Sequence, residues 1–251
     1  MPVFKEEILS TEKIRKKTLL AFLFFFLFLA SCIAGWKWLR HQPEDAGALR
    51  PLRSVLNFNE KLFSNLISND HLAKSFADKD AVHKVRVNGD AGMSNGFDPA
   101  TWKLQLVRRP GDTLYITLDE LKALPKTDII FDFKCIEGWS QVTHWGGVKF
   151  SDFVKKYGLD EQSSMPYVAL HTPDNQYYVG IDRKSMLHPQ TILCYEMNGE
   201  PLPMNQGAPL RLIIPVKYGI KHLKRIGTIY FSNQRPPDYW FERGYDYFGG
   251  L

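Results

Sequence analysis

An apolar segment near the N-terminus most constrains this chain, because it has to be buried in either a membrane or a protein core. Residues 18–36 carry no charge and consist mainly of Leu and Phe. As a helix they would span roughly 28 Å, about the thickness of one bilayer core. Basic residues precede the segment, and a flank rich in Trp and Lys follows it, as at a headgroup interface. The pattern predicts a transmembrane helix over residues 18–39, after a basic segment over residues 1–17.

The sequence leaves two fates open for this helix. The order Leu29-Ala30-Ser31-Cys32 resembles the cleavage site of a bacterial lipoprotein, which would make Cys32 a lipidated N-terminus. The apolar stretch continues past Cys32, however, and this favours an uncleaved, single-pass anchor. The basic flank predicts a cytoplasmic N-terminus and a domain on the far side of the membrane.

About 210 residues follow the anchor, enough for one sizeable core or two small ones. With 44% hydrophobic and 24% charged residues, the composition is that of a globular protein and excludes disorder. The net charge of +5 is modest, and no long basic run with interleaved aromatic residues points to nucleic acid. The three cysteines form neither a disulfide framework nor a C-x-x-C motif, so a zinc finger and a covalent haem are not predicted.

The sequence pattern predicts a linker and helical segment over residues 40–79, followed by a folded domain. Residues 41–53 are rich in turn formers, and residues 55–77 have helical apolar spacing. Beyond them, strands outnumber helices and do not alternate with them regularly, which predicts an α+β fold with a mixed or mainly antiparallel sheet. Strands are predicted at residues 84–88, 102–107, 129–133, 167–171, 177–181, 191–196, 210–216 and 228–231, and helices at residues 117–124 and 151–157.

Cys135 carries the most distinctive chemistry of the sequence. It follows a predicted strand directly and begins CIEGW, where the chain turns out of the sheet. A thiolate there could be a nucleophile, with His144 as its base, or a soft metal ligand. The alternative is structural, with Cys135 as a small buried apolar residue and His144 as a loop residue; Cys194 is predicted to be a core residue.

Two motifs resemble the sulfite-oxidase family of molybdopterin-dependent oxidoreductases. The first is CIEGW followed by a Trp-Gly pair, and the second, in residues 195–226, contains NGEPLP, GAPLRL and PVKYGIKHLK. The similarity extends from about residue 80 to residue 251. It is to the branch that contains the bacterial periplasmic methionine-sulfoxide reductase catalytic subunit. The resemblance implies a sulfite-oxidase-type molybdopterin-binding fold over residues 80–251.

The resemblance also implies one molybdenum–molybdopterin per chain, with Cys135 as the metal ligand. Arg211 could offer a planar fork to the pterin phosphate, and Lys221 and Lys224 could act as point charges; otherwise this basic stretch would be a solvated surface loop. His222 stands where the family often has Ser, so its contact, like that of Leu223, is expected partly through the backbone N–H. Further contacts are expected from Gln206, from one residue of the pair His171 and Thr172, and from Asn57 and Asn59.

The implied reaction is oxygen-atom transfer to or from a small substrate. Reduction of a sulfoxide or a similar S- or N-oxide is expected first. Sulfite oxidation comes second, because the dianion would need several cationic donors at the metal, which the sequence does not place. A cysteine hydrolase using Cys135 and His144 and a cofactor-free binding module remain alternatives.

The electron source is expected to be a separate membrane protein. The sequence has no haem-attachment motif, so a membrane cytochrome or a quinone-linked partner would supply electrons, and the anchor would hold the enzyme beside it. The implied location is the periplasmic face of a bacterial inner membrane. Export of a folded, pterin-loaded protein normally uses a twin-arginine signal, of which only Arg15 is present, followed by Lys16.

Overall fold

A computed structural model describes residues 10–66 and 70–251 of the chain, and its first element is the predicted apolar helix. Helix α1, Thr11–Arg40, has no buried residue. It is long enough to cross a membrane, and an 18-residue window within it has a mean hydropathy of 2.4. The apolar helix is therefore confirmed, although part of the predicted basic segment, residues 1–17, lies outside the described residues.

A tight hairpin replaces most of the linker predicted at residues 41–53. Strands β1, Glu44–Asp45, and β2, Ala48–Leu49, pair antiparallel. The turn between them uses positive φ angles at Ala46 and Gly47. Helix α2, Arg50–Leu66, follows at once, so the last residues of the predicted linker belong to this helix.

The helix predicted at residues 55–77 is wrong over its C-terminal part. Residues 70–77 are not helical: Ser75 forms a bridge to Phe131, and the Phe76 amide donates to the Ile130 carbonyl at 3.0 Å. The segment thus pairs with an edge strand, which satisfies its backbone outside a helix.

Most of the predicted strands and both predicted helices of the domain are present near their predicted positions. The strands are β3 Leu104–Arg109, β4 Asp112–Ile116, β5 Lys126–Lys134, β6 Ser140–Lys149, β7 Tyr167–His171, β8 Tyr178–Asp182, β9 Ile192–Met197, β10 Glu200–Pro201, β11 Arg211–Ile213 and β12 Thr228–Ser232. The helices are α3 Leu118–Lys122, α4 Phe150–Lys156 and α5 Arg183–Met186.

The strands form two larger sheets. One has the order β4-β3-β12-β7-β8, and the other has the order β10-β9-β6-β5 with β11 also paired to β9. The β12–β3 pair is parallel, and the other named strand pairs are antiparallel. The predicted α+β class with a mixed, mainly antiparallel sheet is confirmed.

Several segments depart from the predicted strands, and β4 and β10 are among those that were not predicted. Residues 84–88 are irregular rather than a strand, because they leave the sheets to cross the pocket described below. Strand β6 was not predicted, since its Gly146-Gly147 pair suggests a turn. A side chain at Gly147 would lie 2.2 Å from the Leu193 carbonyl oxygen, so the glycine permits close pairing with β9 instead.

A large buried apolar cluster joins the two sheets, and a smaller one lies under the pocket. The large cluster includes Leu106 of β3 and Leu193 of β9. The smaller one includes Phe131 of β5, Trp145 of β6 and Ile213 of β11. The pocket is therefore built on rigid strands rather than on loops alone.

A buried ion pair holds the C-terminal segment around Phe248, and we expect its removal to destabilise the fold. The Lys217 ammonium lies 2.7 Å from Asp182 and donates to the Phe248 carbonyl at 2.8 Å. Lys217→Met leaves the carboxylate unpaired and should lower the free energy of unfolding by about 3 kcal/mol, measured by urea titration. Adding Asp182→Asn should restore most of the loss. Lys155→Met, at an exposed lysine 3.9 Å from Asp152, is the control and should change little; equal effects at both lysines would contradict the prediction.

Candidate functional site

Strand β5 delivers Cys135 to the wall of a pocket. The turn after the strand is closed by two hydrogen bonds, from the Cys135 amide to the Trp139 carbonyl at 2.9 Å and from the Gly138 amide to the Cys135 carbonyl at 3.0 Å. The thiol is free and only 7% exposed. Its sulfur lies 3.7 Å from the Asn88 side-chain nitrogen, which can donate to it. The sulfur is thus held in one place and faces a polar hydrogen on one side.

The pocket combines aromatic walls with a few polar groups, as cofactor sites commonly do. Its apolar lining includes Phe133, Ile136, Trp139, Trp145, Tyr177 and Trp240. Its polar lining includes Arg86, Asn88, Gln206, Arg211, His222 and Lys224.

Arg211 is a buried cation with bonding capacity to spare. Its guanidinium donates to the Gln206 side-chain oxygen at 2.9 Å and to the Gln206 carbonyl at 3.0 Å, and it lies 4.5 Å from the centre of the Trp145 ring. Its Nε has no hydrogen-bond partner. Burial lowers the pKa of Arg211 to about 10, so the group remains charged at neutral pH. A buried cation with an unpartnered N–H fits an anionic ligand.

His222 is a buried neutral imidazole. Burial, followed by the charge of Arg211, lowers the pKa of His222 to about 3. Its Nε2 lies 3.1 Å from the Lys217 carbonyl and therefore donates to it, which leaves Nδ1 as an acceptor without a partner. This tautomer does not favour the predicted contact with phosphate, because an unprotonated Nδ1 accepts hydrogen bonds, as phosphate oxygens do. It suits an N–H or O–H donor of a ligand instead.

Lys224 crosses to the loop that carries Asn88. Its ammonium donates to the Asn88 carbonyl at 2.8 Å and to the Gly89 carbonyl at 2.9 Å. Burial and the charge of Arg211 lower the pKa of Lys224 to about 8. A bound anion would offset both causes.

The donor set fits a metal carried on an anionic organic cofactor. In residues 10–66 and 70–251, no three His, Cys, Asp or Glu side chains converge to hold a metal ion. A metal at Cys135 would therefore take most of its ligands from the cofactor. The unpartnered nitrogens of Arg211 and His222 and the cation Lys224 provide the matching contacts for its organic part.

Two predicted residues of the basic stretch lie outside the pocket lining. Lys221 is buried and pairs with Asp238. Leu223 is a core residue, and its amide donates to the Lys221 carbonyl at 3.1 Å, while the His222 amide donates to the Gly219 carbonyl at 3.0 Å. In this structure a tight turn uses the N–H groups of residues 222 and 223 internally, so their expected backbone contacts with the pterin stay a prediction.

The predicted contacts from two other pairs also lie elsewhere. Thr172 is buried and donates to Asp174 at 2.6 Å, and His171 lies 3.3 Å from the Asn175 side-chain oxygen, so local loop contacts use both. Asn57 and Asn59 are exposed on α2, and neither lines the pocket of Cys135. The contacts expected from Asn57 and Asn59 therefore stay a prediction that the position of α2 in this structure does not support.

Cys135 and His144 do not form a catalytic pair. His144 lies opposite Ile130 in the β5–β6 ladder, five residues from Cys135 or about 16 Å along the strand. Both ring nitrogens are engaged, with Asp78 at 2.7 Å and Asp128 at 3.0 Å. Cys194 is a core residue as predicted, and burial raises the pKa of its thiol to about 12.

The loop that faces Cys135 was not predicted from the sequence to line the site. Asn88 and Arg86 line the pocket, and Arg86 stacks 4.7 Å from the centre of the Trp139 ring. The Asn88 side chain and the Trp139 indole also hydrogen-bond Glu137, which lowers the pKa of that carboxyl. The one available signal was the Asn-Gly pair at residues 88–89, which indicates a turn but not its neighbours.

The sequence of the whole domain decides the family. The model of the oxidoreductase molybdopterin-binding domain matches residues 91–240, more than half of the chain. The chain belongs to the molybdopterin-binding oxidoreductases. It is therefore a molybdenum-dependent oxidoreductase with a molybdenum–molybdopterin cofactor, and the hydrolase and the cofactor-free binding module are set aside.

Similar proteins carry related names. A relative from Azospira oryzae, provisionally named protein-methionine-sulfoxide reductase subunit YedZ1, is 39% identical over 209 residues, which cover 82% of this chain and 79% of the relative. The protein-methionine-sulfoxide reductase catalytic subunit MsrP of Xanthomonas axonopodis pv. citri is 33% identical over 147 residues, 53% of this chain and 45% of the relative, so the match spans under half of that protein. The sulfane dehydrogenase SoxCD of Paracoccus pantotrophus aligns with a TM-score of 0.48 and 16% identity, covering 55% of this chain and 40% of that one.

If Lys224 contacts the anionic end of the cofactor, its low pKa makes cofactor retention depend on pH. A phosphate dianion favours the charged ammonium, so binding raises the pKa of Lys224 above its free value of about 8. Below pH 8 both states are protonated; above it, binding takes up a proton and the affinity falls by up to about tenfold per pH unit. We expect less pterin to remain after dialysis at pH 9.5 than at pH 7.5, measured by fluorescence, and Lys224→Met to flatten the dependence. Identical pH profiles for the two proteins would contradict this role.

Proposed function

We propose that this enzyme reduces a sulfoxide, with methionine sulfoxide as the first candidate. The carrying observation is the environment of Cys135, where the neutral side-chain amide of Asn88 donates to the sulfur and the turn that follows carries Ile136, Trp139 and the carboxylate of Glu137. A neutral sulfoxide suits such a surface better than a dianion does. The names of the relatives support the same substrate class.

We infer that Cys135 is the protein ligand of molybdenum and that Arg211 and Lys224 hold the anionic end of the pterin. Gln206 orients Arg211 through two hydrogen bonds, which leaves Nε for the cofactor. Asn88 donates to the Cys135 sulfur and so fixes its orientation and lowers its electron density.

The bound cofactor supplies two-electron oxygen-atom transfer, in which a sulfoxide, two electrons and two protons give a thioether and water. The chain positions the Cys135 sulfur and excludes water from it. The pocket has aromatic walls, which include Phe133, Trp139 and Trp145, and the Cys135 thiol is buried there. A dry wall strengthens the hydrogen bond from Asn88 to the ligand sulfur.

Sulfite oxidation is the second candidate because Arg86 lies over Trp139 at the same pocket. The test compares kcat/KM for methionine sulfoxide, with a reduced viologen as electron donor, and for sulfite, with ferricyanide as acceptor. We expect the sulfoxide to be preferred and Arg86→Gln to change its KM little. A preference for sulfite, with a KM for sulfite raised about tenfold by Arg86→Gln, would replace the proposal.

We also propose that α1 is a retained anchor, that the catalytic domain is periplasmic and that a membrane cytochrome or quinone-linked protein supplies electrons. The helix continues eight residues past Cys32 to Arg40, as a spanning helix would. Deleting residues 1–40 should abolish reduction driven by membrane quinol and preserve reduction driven by viologen. Unchanged quinol-driven activity would exclude this role of the anchor, and a periplasmic alkaline-phosphatase fusion tests the topology.

A further inference from the structure

Helix α2, which begins ten residues after the end of α1, presents an apolar stripe to solvent. Leu52, Val55, Phe58, Leu62 and Phe63 are between 47% and 65% exposed. At about 100° per residue, these positions occupy less than half of the helical circumference. Five large apolar side chains on one exposed face indicate an interaction surface for a membrane or another protein.

The other side of α2 is fixed to the domain, so the helix cannot rotate to bury the stripe. Arg53 is 1% exposed and donates to the Ala46, Phe241 and Tyr245 carbonyls at 2.6, 2.9 and 2.8 Å. Glu60 pairs with Arg235 at 2.6 Å. These contacts hold the stripe outward.

The position of α2 along the chain identifies what covers it. Helix α1 ends at Arg40 with the exposed side chains of Trp36 and Trp38, which suit the headgroup level of a bilayer. Only the β1–β2 hairpin separates that level from Arg50, the first residue of α2. The stripe therefore begins within a short distance of the membrane surface.

The exposed charge of α2 matches an anionic lipid surface. Arg50 and Lys61 are exposed, whereas the carboxylate of Glu60 turns inward to Arg235. A basic polar side together with Leu and Phe on the other side is typical of a helix that lies in the plane of the interface.

We propose that α2 lies in the headgroup layer of the bilayer that α1 crosses, with its apolar stripe inserted among the lipids. This inference rests on the proposed retention of the anchor. Because Arg53 also holds the Phe241 and Tyr245 carbonyls, and Tyr245 lines the pocket of Cys135, the seated helix would fix that wall of the pocket relative to the membrane.

Photocrosslinking of the full chain tests this placement. The photoreactive residue p-benzoylphenylalanine would replace Phe58, Asn57 or Leu27, one at a time, and each holoenzyme would be reconstituted alone in vesicles of phosphatidylethanolamine and phosphatidylglycerol. Asn57, exposed on the polar side of α2, is the matched control, and Leu27 reports the anchor. After irradiation, mass spectrometry measures the lipid adduct. We expect adducts at positions 27 and 58, with a several-fold lower yield at position 57.

The other outcomes separate the two claims. An adduct at position 27 with equal, low yields at 57 and 58 overturns the placement of α2 and leaves the anchor intact. No lipid adduct at position 27 removes the anchor and the inference with it. A crosslinked dimer through position 58 in place of a lipid adduct assigns the stripe to a second copy of the chain and also overturns the inference.

Discussion

Cys135→Ser is expected to abolish oxygen-atom transfer while leaving the fold intact. The exchange keeps the size of a side chain that is 7% exposed, and the turn hydrogen bonds of residue 135 involve only its backbone. It replaces a soft thiolate with a hydroxyl that is not ionised at neutral pH, and this removes the proposed protein ligand of molybdenum. Mutation of a residue that only hydrogen-bonds a metal ligand typically lowers metal affinity or activity about 10- to 100-fold. For the ligand itself we expect a loss of more than about 100-fold in kcat/KM.

Cys194→Ser is the matched control for this change. Cys194 is fully buried on β9, and its sulfur donates to the Glu196 carbonyl at 3.1 Å, a bond that a serine hydroxyl can replace. We expect the control to keep its molybdenum and most of its activity. Molybdenum content by mass spectrometry and sulfoxide turnover measure both variants. Equal metal content and activity in Cys135→Ser and the parent protein would remove Cys135 from the metal site.

Local patterns predicted the part of the site that follows a strand. The alternating apolar residues of β5 indicate where the strand ends, so the sequence placed Cys135 directly after its C-terminal end. Arg211 and Gln206 were found through the family motif, and both line the pocket. Asn88 was missed because its loop approaches Cys135 across 47 residues, and no local rule specifies such a contact.

The basic stretch illustrates why composition alone could not separate ligand contacts from core contacts. Lys221 and Lys224 are three residues apart and look equivalent in the sequence. A tight turn directs Lys221 into the core, where Asp238 compensates its charge, and leaves Lys224 at the pocket. The distinction depends on a carboxylate 17 residues further along the chain. Burying a lysine requires such a partner, and only the tertiary structure provides it.

Asn57 and Asn59 were named through the resemblance to the family, and they lie outside the lining of the Cys135 pocket. Their helix is amphipathic, and amphipathicity predicts an apolar side that packs inward. In α2 the buried anchors are instead Arg53 and Glu60, and the apolar stripe faces outward. A sequence pattern does not distinguish a helix that faces a core from one that faces lipid.

Arg211→Met is expected to have opposite effects on the cofactor-free and the loaded enzyme. In the cofactor-free protein, the guanidinium is buried, its Nε is unpartnered, and desolvation lowers its pKa to about 10. Replacing it with an apolar side chain of similar length removes that desolvation penalty, so the melting temperature of the cofactor-free protein should rise. The loaded enzyme loses charge-assisted hydrogen bonds to the pterin, which at about 3 kcal/mol corresponds to a dissociation constant raised about 100-fold.

Two further variants separate charge from geometry in this effect. Arg211→Lys keeps the charge but loses the planar fork and the unpartnered Nε, so its pterin retention should fall between those of the parent and Arg211→Met. Arg109→Met, at an arginine whose side chain is 78% exposed, is the control and should alter neither quantity. Pterin fluorescence after denaturation measures retention, and calorimetry of the cofactor-free protein measures stability. If Arg211 serves only the fold, Arg211→Met should have a lower melting temperature and unchanged pterin retention. If Arg211 binds the anionic cofactor, Arg211→Met should have a higher melting temperature and lower pterin retention.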